Sequence, residues 1–279
     1  MTPPVQLTVA PHLPGAGECM VDPILSPEMD LHGQAVLVTG GAKRVGEAIV
    51  LELARAGANV VVHCRSSGAE AVATCERARG FGVRAVVVVG DLGNVAEVQR
   101  VAEETLAAFG RLDAVVNNAS IFLHTPIEVL NSEQWERTLS VNLKGPFFLA
   151  LRLGRVMQAG AGGTIVNIAD WAALRPYREY LPYCVSKAGV VSMTIGLAKA
   201  LAPKVRVNCV APGPVLPPDG YTDEERTDLM QSTPLKRLGS PQDVARMVRF
   251  LVTEADFSTG GVYLVDGGRL NASGISQRE

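Results

Sequence analysis

The sequence lacks an excess of basic charge, an apolar run long enough to span a bilayer, and any pair of cysteines at CxxC spacing. Its 26 Lys and Arg residues balance 28 Asp and Glu residues and are scattered along the chain, so we expect no nucleic-acid surface. Crossing a membrane takes about 18 consecutive apolar residues, so we expect no membrane partner. The five cysteines are typical of reduced thiols in a cytoplasmic protein, and we predict no metal site.

The first 30 residues contain no Lys or Arg and no continuous apolar centre, which argues against a signal peptide. Their proline content and their lack of helical or strand periodicity predict a disordered leader. Across the whole chain, hydrophobic residues make up 47% and charged residues 19%, as in folded proteins with a sizeable core. No shift in composition marks a linker, so we predict one domain over residues 31–279.

Short apolar runs alternate with stretches at helical spacing throughout this domain. Each run is nearly uninterrupted, as in parallel strands that are covered on both faces. The alternation predicts an α/β fold, a single doubly wound Rossmann-type domain with a mostly parallel seven-stranded sheet, whose ligands lie at the carboxyl ends of the strands. The predicted strands are 35–38, 59–63, 83–89, 112–116, 164–168, 205–210 and 261–265.

A glycine-containing turn follows the first predicted strand and leads into a helix. Gly40 and Gly46 allow a sharp turn and let the pyrophosphate of a dinucleotide approach the N–H groups at the helix N-terminus. Lys43, Arg44 and Val45 complete the turn, and Arg44 occupies a place where glycine is common. Its guanidinium adds positive charge beside the phosphates, so all five residues are predicted to bind the cofactor.

No acidic residue follows the second predicted strand, where an NAD-selective enzyme usually has one to accept from the ribose 2′-hydroxyl. Arg65 and Ser66 follow it instead, and their donors suit a 2′-phosphate. We therefore predict NADP(H) as the cofactor. The alternative is that Arg65 is a solvated loop residue.

Later strand ends add candidates for the same crevice. Asp91 and Leu92 follow the third predicted strand and are predicted to contact the adenine. Asn118, Ala119 and Ser120 follow the fourth and bring small and amide groups beside the cofactor.

Tyr183 and Lys187 are four residues apart and therefore share one face at the start of a predicted helix. A phenol there can donate a proton while hydride arrives from nicotinamide, and the ammonium can tune the phenol and hold the ribose hydroxyls. We predict that both are catalytic and bind the cofactor. Asn142, in another predicted helix, is predicted to organise a proton-supplying water.

These motifs resemble those of the short-chain dehydrogenase/reductase family, from about residue 31 to residue 271. The resemblance is carried by the Thr-Gly-x-x-x-x-x-Gly turn, Asn118-Ala119, Asn142, Tyr183-x-x-x-Lys187 and Pro212-Gly213. It implies that Pro212 and Gly213 contact the cofactor. It also implies a homotetramer that assembles through the helices predicted at 135–157 and 183–201.

Asp170 departs from the general family pattern, which has a serine 13 residues before the tyrosine. The aspartate, two basic residues in the glycine turn, and Phe122 two residues after Ser120 resemble the pteridine reductase branch. That resemblance implies a substrate site of Ser120, Phe122, Asp170 and Tyr183, with the Phe122 ring stacked on a pterin. It also implies that Asp170 is catalytic, in the place of the family's catalytic serine. The alternative for Phe122 is a core or lid residue.

The charges expected near Tyr183 oppose each other. At about 5 Å and an effective dielectric constant of about 20, Lys187 favours tyrosinate by roughly 3 kcal/mol, and an ionised Asp170 opposes it by as much. We therefore expect Tyr183 to stay protonated at neutral pH, as suits a proton donor in reduction. An ionised Asp170 can only accept hydrogen bonds, and a pterin presents N–H and amino donors.

The leading hypothesis is an NADPH-dependent reductase of a small-molecule pteridine, either a pterin or a dihydrofolate-like substrate, that transfers hydride to a ring C=N bond. The alternative is a carbonyl reductase of a 3-oxoacyl thioester, a sugar or a steroid, against which stands the missing serine. A minor alternative is a non-catalytic NADP-sensing protein, although Tyr183, Lys187 and Asn142 are all present.

Overall fold

Seven parallel strands form one sheet in the computed structural model, which describes residues 31–216 and 222–272. They are β1 (Ala35–Val38), β2 (Asn59–Cys64), β3 (Ala85–Val89), β4 (Ala114–Asn117), β5 (Gly163–Ile168), β6 (Val205–Pro212) and β7 (Val262–Val265). The sheet order is β3-β2-β1-β4-β5-β6-β7, and every neighbouring pair is parallel. The predicted fold class is confirmed. The leader predicted at 1–30 lies outside the described residues.

Helices connect and cover the strands on both faces. They are α1 (Arg44–Arg55), α2 (Gly68–Arg79), α3 (Val95–Phe109), α4 (Ser132–Leu139), α5 (Gly145–Ala159), α6 (Leu181–Leu201), α7 (Asp223–Gln231) and α8 (Pro241–Thr253). A π-helical turn, Ser140–Lys144, joins α4 to α5, and Trp171–Ala173 and Arg269–Asn271 form short 3-10 turns.

The strands present alternate side chains to two hydrophobic cores, one on each face of the sheet. In β1, Val36 and Val38 belong to the core that includes α1, α2 and α8, whereas Leu37 belongs to the core that includes α3, α5 and α6. All three side chains are fully buried. Because neither face meets water, the strands are apolar runs without a polar alternation.

The sheet order reverses between β1 and β4. The chain runs outward from β1 through β2 to β3, and then crosses back to place β4 on the other side of β1. A doubly wound sheet binds ligands at the carboxyl ends of its strands where the order reverses. The loops after β1 and β4 therefore form the centre of the candidate site.

The predicted strand boundaries lie within two residues of the observed ones. β3 begins at Ala85 rather than at 83 because the chain still turns at Gly82, whose φ is +83°. The helix predicted after the glycine turn is α1, which begins at Arg44.

Among the described residues, α6 is the one helix that is long and apolar enough to cross a membrane by length and composition. Its Met193 and Leu197 are buried inside the fold. Asn117 Nδ2 donates to Asn167 Oδ1 at 2.8 Å, and Asn167 Nδ2 donates to Thr194 Oγ1 at 2.9 Å. This chain of amides ties α6 to β4 and β5, so its apolar character is that of a core helix.

Candidate active site

The turn after β1 brings together the two glycines of the predicted dinucleotide site. Gly40 has a φ of +61°, and a Cβ at this position would lie 3.0 Å from Ala119 Cα. A Cβ at Gly46 would overlap the Gly40 carbonyl oxygen. Because neither residue has a side chain, the turn, the start of α1 and the loop after β4 pack closely. The cradle fits a pyrophosphate at the α1 N-terminus.

Arg44 starts α1 in the left-handed region, with a φ of +57°. Glycine adopts this conformation without strain, which explains its frequency at this place in the turn. The side chains of Arg44 and Lys43 are exposed, and Lys43 Nζ lies 3.7 Å from Glu70 Oε1. Val45 packs against the core. The turn therefore combines a strained backbone with two cationic side chains at its surface.

Thr39 and Asn118 join the loops after β1 and β4. Asn118 Nδ2 donates to the carbonyl oxygens of Thr39 at 2.9 Å and of Gly40 at 3.1 Å. The buried Thr39 Oγ1 accepts from the backbone N–H groups of Asn118 and Ala119 at 2.9 and 3.0 Å. The Asn118 amide thus holds the glycine turn in shape. Thr39 belongs to the motif, but its contacts are not predictable from the motif.

His63 supports the same turn from β2, a role that no motif or spacing in the sequence indicates. The Gly40 N–H donates to Nδ1 at 3.3 Å, so Nε2 carries the hydrogen and donates to the Gly90 carbonyl oxygen at 3.0 Å. The ring is 2% exposed, and burial lowers the pKa of His63 to about 4. A neutral imidazole therefore connects the glycine turn to the end of β3.

We expect the free energy of unfolding to fall by about 3 kcal/mol between pH 7 and pH 4 through His63 alone. The unfolded ring binds a proton near pH 6.5 and the folded ring only near pH 4, so acid favours the unfolded state across that interval. Urea denaturation across this range measures the effect. His63→Asn keeps one donor and one acceptor but does not titrate, so its slope should be shallower. Equal slopes would contradict the prediction.

Arg65 and Ser66 follow β2, as predicted, and both are exposed at the edge of the crevice. The charge of Arg65 contributes to a lowered pKa at Asp91, so the two side chains face the same region. A donor pair that is open to solvent in this position is available to an anionic ligand.

Asp91 is held by groups that spacing did not predict. Its Oδ1 accepts from the Gly93 N–H at 2.8 Å, and its Oδ2 accepts from Arg137 Nη2 at 2.9 Å. Partial burial raises the pKa of Asp91, but these two donors outweigh it and hold the pKa below the ordinary value. The neighbouring Leu92 is 3% exposed and belongs to the core that includes α3 and α5.

Tyr183 and Asp170 are in direct contact. The Tyr183 hydroxyl donates to Asp170 Oδ2 at 2.7 Å, and Asp170 Oδ1 accepts from the Ala172 N–H at 2.8 Å. Asp170 therefore caps the Trp171–Ala173 turn and orients the phenol at the same time. Burial, followed by the charge of Asp170, raises the pKa of Tyr183 well above its usual value. The phenol stays protonated at neutral pH, as expected, but burial is the main cause.

Lys187 lies one turn further along α6 and is 3% exposed. Its Nζ donates to the Ile168 carbonyl oxygen at 2.9 Å and lies 5.6 Å from the centre of the Tyr183 ring. Burial lowers the pKa of Lys187 to about 8, against the opposing effect of Asp170. Burial also raises the pKa of Asp170, against the Ala172 and Tyr183 hydrogen bonds and the Lys187 charge.

Asn142 lies in the π-helical turn rather than in a regular helix. Its Oδ1 accepts from the Ile121 N–H at 2.8 Å, and its Nδ2 donates to the Ile121 carbonyl oxygen at 2.9 Å. Nδ2 also lies 3.2 Å from Ser186 Oγ, which donates to the Tyr183 carbonyl oxygen at 2.6 Å. Asn142 therefore connects the loop that carries Phe122 to the helix that carries Tyr183.

Phe122 lies against two tyrosines, one just before α6 and one in its first turn. Its ring is stacked on Tyr180 with centroids 4.1 Å apart, and it meets Tyr183 edge-on at 4.6 Å. It is 45% exposed, as is expected of a residue that lines a site rather than one in the core. Ser120 is also exposed and lies two residues before it. The four residues of the predicted substrate site therefore lie in two adjoining loops and the first turn of α6.

Pro212 and Gly213 end β6 on the other side of the crevice. The Gly213 N–H donates to the Val265 carbonyl oxygen at 3.0 Å, and a Cβ at Gly213 would lie 2.7 Å from Asp266 Cα. The glycine therefore allows β6 and the end of β7 to approach closely. Residues 217–221 of the loop that follows lie outside the described residues.

The family model described as Enoyl-(Acyl carrier protein) reductase matches residues 40–269. A 3-oxoacyl-[acyl-carrier-protein] reductase from Synechocystis is 35% identical over 241 residues, which cover 85% of this chain and 97% of the relative. The chain belongs to the short-chain dehydrogenase/reductase family. Its members are NAD(P)-dependent oxidoreductases, and so is this protein.

Other members of the short-chain dehydrogenase/reductase family are equally similar. An L-rhamnose 1-dehydrogenase (NAD(P)⁺) from Sphingomonas is 35% identical over 250 residues, which cover 85% of this chain and 96% of that protein. The crystal structure of FolM alternative dihydrofolate reductase 1 from Brucella canis, complexed with NADP, has a TM-score of 0.83 and 33% identity, with 90% of this chain and 99% of that chain covered. Family membership therefore gives the reaction class, and the substrate depends on the residues of the site.

Proposed function

We propose that the protein is an NADPH-dependent reductase of pteridines, with pterins or dihydrofolate-like compounds as substrates. The observation that carries this proposal is the contact between Tyr183 and Asp170, in which a carboxylate takes the place of the family serine. Phe122 adds an aromatic face beside it, 4.6 Å from the Tyr183 ring. A carboxylate and an aromatic ring suit a flat heterocycle that carries N–H donors. The likeness to a dihydrofolate reductase of the family supports this choice.

The chain's own groups fit NADPH. The glycine turn and the α1 N-terminus would hold the pyrophosphate, Arg65 and Ser66 the 2′-phosphate, and Lys187 the ribose hydroxyls. When bound, the cofactor supplies the hydride that reduces the ring C=N bond.

Tyr183 supplies the proton. Its Oη is a protonated phenol, and it passes that proton to the ring nitrogen as the adjacent ring carbon is reduced, so the C=N bond becomes CH–NH. The tyrosinate left behind lies near the Lys187 ammonium, which offsets its charge until a solvent proton replaces the one transferred. Asp170 holds the phenol in place through Oδ2. Each carboxylate oxygen also has a second lone pair that can accept from a substrate N–H.

The wild-type enzyme should consume NADPH with dihydrofolate or an oxidised pterin faster than with a 3-oxoacyl thioester or a sugar. Absorbance of NADPH under matched substrate concentrations measures this, with product identity checked by chromatography. The 3-oxoacyl thioester is the second candidate because the Synechocystis relative is a 3-oxoacyl-[acyl-carrier-protein] reductase. Turnover of that thioester together with no turnover of any pteridine would refute the proposal.

We expect Arg65→Ala to weaken NADPH binding at least tenfold, about 1.4 kcal/mol, and to leave NADH binding unchanged. The side chain is exposed at the end of β2 and would pair with the 2′-phosphate, which NADH lacks. Fluorescence titration of both cofactors measures the two affinities. Arg178→Ala, which removes an exposed arginine near the substrate loops, is the matched control. Equal losses for NADPH and NADH would count against a role at the 2′-phosphate.

We also propose a homotetramer that assembles through α5 and α6. Both helices cover the sheet with one face and still expose Phe148, Val156, Val185 and Ile195 on the other, each at least 41% accessible. Light scattering should return about four times the 29.5 kDa chain mass. Ile195→Glu should lower that mass, and Val72→Glu on α2 should not. A monomer mass for the wild type at micromolar concentration would exclude the assembly.

A further inference from the structure

A second phenol, Tyr177, lies beside the candidate site, and the reaction described above does not use it. The buried Trp171 indole donates through Nε1 to the Tyr177 hydroxyl oxygen. Trp171 is itself fixed: it is 2% exposed, it directly follows Asp170, and the Arg269 guanidinium lies 5.3 Å from the centre of its ring. The Trp171 indole is therefore a rigid donor that sets the position of the Tyr177 hydroxyl oxygen.

The direction of this hydrogen bond decides what Tyr177 can do. An indole N–H can only donate, so the Tyr177 oxygen is the acceptor and its own hydrogen remains for another partner. No acceptor for that hydrogen occurs within residues 31–216 and 222–272. The Tyr183 hydrogen, by contrast, is already directed to Asp170 Oδ2. The Tyr177 hydrogen is therefore available for a lasting hydrogen bond to the substrate, whereas the Tyr183 hydrogen is the one that is transferred in the proposed reaction.

The surroundings of Tyr177 keep its hydroxyl protonated and place its ring beside the aromatic residues of the site. Its ring meets Phe122 edge-on at 6.3 Å and Tyr180 edge-on at 6.2 Å. Burial, and then the charge of Asp170, raise the pKa of Tyr177 well above its usual value. The residue is of intermediate exposure and packs against the cluster that contains Tyr183.

We propose that Tyr177, held by Trp171, is a substrate-binding and specificity-determining residue that donates a hydrogen bond to a ring nitrogen or exocyclic oxygen of a heteroaromatic substrate lying beside Phe122. This inference rests on the proposed function, because it takes the substrate to be a pteridine. In this arrangement Asp170 accepts from the donor edge of the heterocycle and Tyr177 donates to an acceptor on it. The pair distinguishes heterocycles with both kinds of group from simple ketones.

The test is Tyr177→Phe in the full-length enzyme, with Tyr263→Phe in β7 as the matched control. Steady-state kinetics with pterin should show KM about tenfold higher for Tyr177→Phe and kcat within about twofold of wild type, since the lost contact is present in both ground and transition states. Trp171→Phe removes the orienting donor and should raise KM by a smaller factor.

Pterin analogues that each lack one ring-nitrogen acceptor, namely the 1-deaza, 5-deaza and 8-deaza compounds, and the 4-deoxo compound, which loses the exocyclic oxygen together with the N3–H donor, identify the atom that Tyr177 contacts. One of them should bind wild type about tenfold more weakly than pterin does, and should bind wild type and Tyr177→Phe equally well. A merely structural role would instead weaken all of the analogues alike.

Two results would overturn the inference. One is a KM for Tyr177→Phe equal to that of Tyr263→Phe, and the other is an equal loss of affinity for every analogue. A wild-type enzyme that turns over carbonyl compounds and no pteridine overturns the proposed function instead. The same variants, assayed on that carbonyl substrate, then decide whether Tyr177 donates to its oxygen.

Discussion

Replacing Tyr183 with phenylalanine is expected to lower kcat by about 10²- to 10⁴-fold, the usual contribution of a general acid. The phenol is the protonated group in the site, because burial and Asp170 together raise its pKa well above neutral. A phenylalanine ring at this position keeps the contact with Phe122 and the packing against Ala172 and Cys184, so the fold should be retained. Single-turnover NADPH oxidation, which isolates the chemical step, is the appropriate measurement.

NADPH affinity distinguishes a loss of proton donation in Tyr183→Phe from general damage to the active site or the fold. Tyr183→Phe should bind NADPH within about twofold of wild type and should melt within a few degrees of it. Removing the Asp170 partner hydroxyl leaves a partly buried carboxylate with one donor fewer, so a small change in stability is expected. A variant that retains more than a tenth of wild-type kcat would show that another group supplies the proton.

The pH profile gives a second measure of the same site. Lys187 has a pKa of about 8, so its ammonium is lost as the pH rises through that value. The tyrosinate formed during reduction then loses its neighbouring positive charge, and kcat should decline above about pH 8. A flat profile to higher pH would indicate that the charge of Lys187 does not assist the proton transfer.

Replacing Asp170 with serine is expected to lower kcat/KM for pteridines by about a hundredfold, or roughly 2.7 kcal/mol. The change removes the acceptor that orients the Tyr183 hydroxyl and that would accept from the substrate. A serine oxygen can still cap the Trp171–Ala173 turn, so the loop should keep its conformation. Kinetics with dihydrofolate and with a simple ketone compare the two substrate classes.

Asp170→Ser should lower activity without lowering the free energy of unfolding. Burial raises the pKa of Asp170, so ionising it in the folded state carries a cost above that pKa, and serine removes the cost. At neutral pH, Asp170→Ser should therefore be no less stable than wild type in urea denaturation. Asp256→Ser, which changes an exposed aspartate after α8, is the control for both measurements. Full pteridine activity in Asp170→Ser would remove the main support for the proposed substrate.

Local patterns were enough to predict the fold class and the strands. Apolar runs such as that of β1 are buried on both faces, and this property depends on the composition of each run rather than on its partners. The spacing of Tyr183 and Lys187 placed both side chains at the start of α6, because a helix repeats every 3.6 residues. The glycine turn was equally predictable from the sequence. Gly40 has a positive φ and lies close to Ala119, and only a residue without a side chain fits both conditions.

The sequence by itself therefore determined the α/β architecture, the turn after β1 and the family motifs, all of which are encoded over short stretches of chain. Only the tertiary structure decided that His63 supports Gly40, that Arg137 pairs with Asp91, and that Trp171 directs Tyr177. The first two contacts join residues 23 and 46 positions apart, and such pairings follow from the strand order rather than from spacing. The protonation of Tyr183 was expected from opposing charges, but burial dominates it. Burial is a property of the packed molecule, because it depends on which surfaces fold over a side chain.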